Sequence, residues 1–197
     1  MGKVMANMSM SLDGFVADPA DGIEHLFGWY FNGDVTIPTA SPHLTFQTSA
    51  ASAAHLREAF ASVGALIGGR RLFDVANGWV GGHPVGVPVF IVTHSVPAGW
   101  PRDDSPCRFV TDGIESALTQ AQAAAGEKAV AVTSPNIAQQ YLNAGLLDEI
   151  AVDLVPVLLG TGIRFFDNLT KAPVKLEDPN VTEGVGVTHL VYRVNRD

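Results

Sequence analysis

The chain has 197 residues, 47% of them hydrophobic and only 16% charged, with a formal charge of −8. That length holds one domain, spanning 1–197, with a sizeable core. An acidic, charge-poor surface argues against nucleic acid and anionic membranes as partners, but not against a small anion held by a few local arginines. No apolar run reaches the length of a membrane span. The opening MGKVMANMSMSLDG lacks the apolar core and cleavage site of a signal peptide, which predicts a cytoplasmic protein. Cys107, the sole cysteine, allows no intrachain disulfide and, at an apparent strand start, reads as a buried inert thiol.

In chain order, KVMANMSM reads as a strand and LDGFVADPADG as a turn-rich loop around a short extended piece. FGWYFNGDVTIPTASPHLTF, punctuated by Gly and Pro, reads as a long irregular connection, a kind of segment that is usually functional or mobile. Residues 50–63 carry Ala53, Leu56, Phe60 and Val63 at helical spacing. GALIGG is a short buried strand, RRLFDVANGW opens as a helix, and VPVFIVTHS and CRFVTD are strands. Residues 112–126 form the cleanest helix. Asp112 and Glu115 make a capping box there, Ile114, Leu118 and Ala121 an apolar face, and Gly126 a stop.

Residues 128–132 are apolar enough for a strand covered on both faces. Ser134 and Pro135 then give an N-cap and a first-turn proline, and Ile137, Ala138, Tyr141 and Leu142 share a helical face. DEIAVDLVPVL is a strand, LGTGIRFFDNL a turn, and VTEGVGVTHLVYRV a terminal strand. Strands alternating with helices from residue 50 onward imply βαβ units and a mainly parallel sheet, with the last strands antiparallel at one edge.

Three predicted strand ends carry polar or glycine-rich tips, at 68–71, 93–95 and 133–136, and a parallel sheet gathers such tips on one edge. Gly68 and Gly69 before Arg70 and Arg71 suit an anion, through helix amides and guanidinium groups; a glycine turn with two solvated arginines is the plainer account. Thr93, His94 and Ser95 suit a phosphate or ribose, or a turn cap. Asp13 sits in an Asp-Gly turn. The histidines show no metal-ligand spacing, so no metal is expected. No G-x-S-x-G elbow and no G-x-G-x-x-G after a strand is present.

MSLDGFVA, GALIGGRRLFD, VPVFIVTHSVP, FVTDGIESAL and QYLNAGLLDEIAVDLVPVLLGTGIRFF, in this order and spacing, resemble the reductase domain of bacterial riboflavin biosynthesis. That domain belongs to the dihydrofolate-reductase-like superfamily, and the likeness runs from about residue 3 to 195. It implies an α/β fold with three layers, a mixed and mostly parallel central sheet flanked by helices, and NADPH lying across the strand ends. It places Gly69, Arg70 and Arg71 at cofactor phosphates, Thr93 and His94 near the adenosine 2′-phosphate, and Ser134, Asn136 and Ile137 under the pyrophosphate. Asp13 and Gly14 match a turn beside the nicotinamide and the substrate. Two departures stand out. Leu72 replaces the usual Thr, and Thr133-Ser134-Pro135 replaces a Gly-Gly turn, which removes an N–H donor at the proline.

The resulting expectation is an NADPH-dependent reductase of a small heteroaromatic, pteridine-like or ribosylaminopyrimidine-like substrate. Asp13 is the expected proton donor, with a loop-held water second, and Trp29, Tyr30 and Phe31 are expected to close over the substrate ring. The alternative is a catalytically silent small-molecule-binding protein on the same fold. A homodimer is expected, built partly through the apolar segment IAVDLVPVLLGTGIRFF.

Overall fold

The structure, a computed structural model, describes residues 2–195. Its centre is an eight-stranded sheet in the order β11-β12-β9-β1-β8-β5-β6-β7. β1 (Val4–Ser11) pairs in parallel with β8 (Ala129–Val132) and β9 (Glu149–Val155). β5 (Val63–Gly69) pairs in parallel with β8 and with β6 (Val89–Val92), and β6 with β7 (Cys107–Val110). β12 (Val187–Arg193) runs antiparallel to β9, and β11 (Asn180–Gly184) antiparallel to β12. The sheet is mixed and mostly parallel, as the resemblance implies.

Side chains alternate between two covered faces. Ala65 and Ile67 of β5 point toward α4 (Ile114–Ala125) and α5 (Pro135–Asn143), joining Ala117, Ala121, Ala138 and Tyr141. Leu66 of β5 points the other way, into a cluster with Phe73 of α3 (Arg70–Val75) and partly buried Trp100. α2 (Ala50–Ser62) covers the β9 and β12 end of that second face with Ala53 and Leu56. β8 is buried at every position, as its unbroken apolar run requires.

Several local readings are corrected. The segment read as irregular holds the short α1 (Glu24–Phe27), a 3-10 turn over Gly28–Phe31 and an antiparallel hairpin of β3 (Val35–Pro38) with β4 (Thr45–Thr48). Each strand spans four residues, too short to reveal its period. The terminal strand is two strands, β11 and β12, reversed at Val185 and Gly186, where Gly186 has φ +70°. Asp112 does not cap α4: Gly113 holds the N-cap position with φ +109° and makes no side-chain cap. Ile163–Arg164, inside the predicted turn, form β10, which pairs with β2 (Phe15–Ala17). Cys107 is buried, and burial pushes its thiol pKa up, as an inert thiol requires.

The α4 and α5 layer is pinned by one polar contact: the buried Tyr141 of α5 donates its hydroxyl to the Ile114 carbonyl at 2.6 Å. Tyr141→Phe removes this bond and keeps the ring packing. It should destabilise the protein by about 1 kcal/mol in urea unfolding with an unchanged m-value.

Candidate functional site

β1, β5, β6, β8 and β9 are parallel, so their carboxyl ends share an edge. The segments leaving that edge are Gly69–Arg71, Thr93–Ser95, Thr133–Ile137 and the turn at Asp13. The tips of β5 and β8 touch: the Gly69 N–H donates to Ser134 Oγ at 2.8 Å, and the Thr133 N–H donates to the Ile67 carbonyl at 2.9 Å. Ser134 is buried and takes the N-cap position of α5, yet its hydroxyl makes no cap bond. This corrects the expectation that Ser134 caps its own helix. The hydroxyl instead cross-links two strand tips, and the fixed φ of Pro135 starts the helix.

Arg70 and Arg71 are at the surface beside this junction. Arg70 Nε lies 2.9 Å from Asp74, and its Nη1 reaches the Ser95 carbonyl at 3.4 Å, linking the β5 and β6 tips. Arg71 Nε lies 2.6 Å from Asp21 in the loop after β2. The Thr93 hydroxyl donates to the Ser95 carbonyl at 3.0 Å, closing a local turn, and His94 is exposed. Asn136 accepts from the Gln140 side chain at 2.7 Å, leaving its own backbone N–H and that of Ile137 at the helix start. The edge therefore presents two guanidinium groups, a hydroxyl turn and a helix start around one seam.

On the other side of the seam, the Asp13 carboxylate accepts from the Ser11 hydroxyl at 2.6 Å and from the backbone N–H groups of Leu159 and Gly160 at 3.1 and 2.7 Å. Chiefly the Ser11 bond holds its carboxyl below the ordinary aspartate range. These bonds favour the charged form and tie the turn after β1 to the loop after β9, which sets Asp13 against the role of proton donor. Gly14 has φ +91°, a left-handed conformation that costs a side-chain-bearing residue strain. Arg164 sits beside it, with its guanidinium 4.7 Å from the Phe15 ring.

Trp29 is not a lid. It is 2% exposed, donates Nε1–H to Ser9 Oγ at 3.2 Å and stacks on Tyr30 at 3.8 Å, in the cluster beneath α2. Among the three aromatics expected to cover a ligand, Phe31 alone is exposed. Beneath Trp29 lies a buried polar group absent from the sequence reading. His189 Nδ1 is 2.7 Å from Asp153, and His189 Nε2 is 2.9 Å from Ser52 Oγ. The His55 ring stacks on that of His189 at 4.1 Å. An Asp inside an apolar strand (EIAVDLV) and a His at an inward position of β12 were the available signals; only strand register and the placement of α2 make them neighbours.

Ser134→Ala deletes the acceptor of the Gly69 N–H in a place where little water can replace it. The loss should be about 1–2 kcal/mol in denaturant unfolding. A change within a few tenths of a kcal/mol would show that the cross-link contributes nothing.

Residues 2–189 match the RibD C-terminal domain family. In fold, the chain is similar to a protein of Shewanella sp. PV-4 named for riboflavin biosynthesis, with 20% identity, TM-score 0.70, and 98% of this chain and 99% of that one covered. It is also similar to the riboflavin biosynthesis reductase of Saccharomyces cerevisiae (12% identity, TM-score 0.58, 98% and 90% covered) and to dihydrofolate reductase of Enterococcus faecalis complexed with NADP(H) (12%, 0.59, 98% and 96%). No curated protein sequence matches it. The match over nearly the full length makes this chain a member of the RibD C-terminal domain family.

Proposed function

We propose that the protein is an NADPH-dependent reductase of a small heteroaromatic, pteridine-like or ribosylaminopyrimidine-like substrate. The observation that carries this reading is the meeting of Gly69–Arg71, Thr93–Ser95 and Ser134–Ile137 at one sheet edge, in a chain of this family. Helix starts and arginines at the carboxyl ends of parallel strands suit a dinucleotide phosphate. A nicotinamide cofactor bound there supplies the hydride for a C=N or C=O bond.

The residues fit such a cofactor with two adjustments. Arg70 and Arg71 each hold a carboxylate, Asp74 and Asp21, so binding exchanges a carboxylate for a phosphate. The Gly69 N–H is taken by Ser134, which leaves phosphate contact to the amides of Asn136 and Ile137 and the guanidinium groups. Arg70 and Arg71 would select the 2′-phosphate form, and Thr93 and His94 would border it. Asp13, held as a carboxylate, would fix the turn carrying Gly14 rather than donate a proton, so proton delivery falls to a water in the crevice. The Ser134–Gly69 bond also favours a second reading, a binding protein that has lost productive cofactor contact.

Thermal-shift and calorimetric titration with NADPH and NADH test both readings. Saturable NADPH binding, weakened by about 1.5–3 kcal/mol in Arg70→Ala, with NADH affected less, is the expected result. Equal losses for both cofactors would remove the arginine assignment, and no NADPH binding beside tight binding of a flavin or pterin would favour the second reading.

The proposed assembly is a two-fold homodimer. β9 spends its apolar side chains inside the sheet, with only Leu154 partly exposed, so the pairing surface shifts from that strand to its surroundings. Leu12 and Leu158, in the loops after β1 and β9, and Val181 and Val185, in β11 and the turn after it, are each more than half exposed. Light scattering at micromolar concentration should give a particle of about 42 kDa, twice the 20.8 kDa chain. A monomer would refute the dimer, and Val181→Lys should convert a dimer to a monomer.

A further inference from the structure

Ser9, Asp153 and His189 lie side by side across β1, β9 and β12, because each is the register partner of the next. All three are buried under α2 and the Trp29 turn. The Asp153 carboxylate only accepts, so His189 Nδ1 carries the proton of their 2.7 Å bond. Ser52 Oγ accepts from the Ser49 hydroxyl at 3.2 Å, which leaves its own proton for His189 Nε2 at 2.9 Å. The chain Ser49–Ser52–His189–Asp153 is thereby satisfied at each link with a neutral imidazole.

His55 lies over this chain as a cover. Its ring is nearly parallel to that of His189, at 15° and 4.1 Å. Its Nε2 stops 3.7 Å from Asp153, too far for a hydrogen bond. Two nitrogens, from His55 and His189, and a carboxylate oxygen within 4.8 Å of one another would interest a metal ion. The stacking argues otherwise, since an ion must lie in the plane of each imidazole that binds it, and two parallel rings offer no common point. Both nitrogens of His189 are also already engaged.

A neutral His55 suits this position and a charged one does not. Its side chain is 19% exposed, and an imidazolium there would lie against the His189 ring with Asp153, at 3.7 Å, still beyond hydrogen-bond reach. Burial first, and then His189, hold its pKa below the ordinary value, against the opposing pull of Asp153 and Glu58. Glu58 lies one turn further along α2 and is exposed. On the other elements packed here, the 3-10 turn presents Trp29 and the phenol of Tyr30, β11 turns Thr182 and Gly184 to this face, and β3 carries no charge.

We propose that His55 is a proton-operated cover. Neutral, it stacks on His189 and seals the Ser52–His189–Asp153 chain; protonated, it leaves the stack for Glu58 and solvent and opens that chain to water. The sign follows from the lowered pKa: the sealed state is favoured above about pH 6.5, the ordinary histidine value, and is lost as pH falls through the lower folded value.

The His189 Nδ1–H, shielded and bonded to Asp153, provides the readout as a slowly exchanging downfield proton resonance. Between pH 8 and 5 its exchange with water should speed up tenfold or more as the His55 ring titrates, against the usual slowing of base-catalysed exchange at lower pH. In His55→Phe, which keeps a stacked ring without the proton, and in His55→Gln, that acceleration should vanish. Exchange that ignores the His55 titration, or that accelerates equally in both variants, would overturn the proposal. A rise in melting temperature with equimolar zinc at pH 8, lost in His55→Phe, would also overturn it and reassign the cluster to a metal.

Discussion

Parallel strand pairing is the constraint from which the rest of this molecule follows. From β7 through β6, β5, β8 and β1 to β9, every neighbour runs the same way. Each connection must cross back over the sheet, so helices cover its faces and the loops after the strands collect at one edge. Polar residues that are scattered over the chain, from Asp13 to Asn136, become neighbours for this reason. β1 sits at the centre, with strands that follow later in the chain on both sides. The seam between its tip and those of β8 and β5 is therefore the natural crevice of an open sheet.

That seam is closed at Ser134, in the turn between β8 and α5. A Gly-Gly turn would leave the β5 amide free and the loop backbone open to a ligand. Here the Ser134 hydroxyl takes the Gly69 N–H, and Pro135 offers no N–H of its own. The exchange strengthens the junction of two strand tips and reduces the donors that a phosphate could use. Stability and ligand contact draw on the same backbone group, so this single turn weighs the enzyme reading against the binding-protein reading.

The other half of the sheet handles polarity differently. Burying Ser9, Ser52, Asp153 and His189 would be costly if any were unpaired, and here each has a partner within hydrogen-bond distance. Trp29 belongs to the same arrangement, since its indole N–H needs the Ser9 hydroxyl once the ring is buried. Trp29, expected from the sequence to cover a ligand, is thus part of an interior wall, fixed by its polar atom as much as by its packing.

Periodicity and local chemistry determined much of this protein. The 3.6-residue spacing of α2, α4 and α5, the continuous apolar run of β8 and the polar tips of β5, β6 and β8 were legible because each depends on neighbours in sequence. So was the family, from five ordered motifs. The short β3–β4 hairpin and the split into β11 and β12 were not, because four or five residues carry too little pattern and the reversal rests on one glycine conformation. Only the tertiary structure decided where side-chain atoms find partners. The Ser134 hydroxyl prefers an amide 65 residues away in sequence to its own helix, Asp13 is claimed by amides from the loop after β9, and Ser52 meets His189 across 137 residues. A hydrogen bond forms with whichever partner the fold brings within about 3 Å, and the spacing of residues along a chain holds no record of that distance.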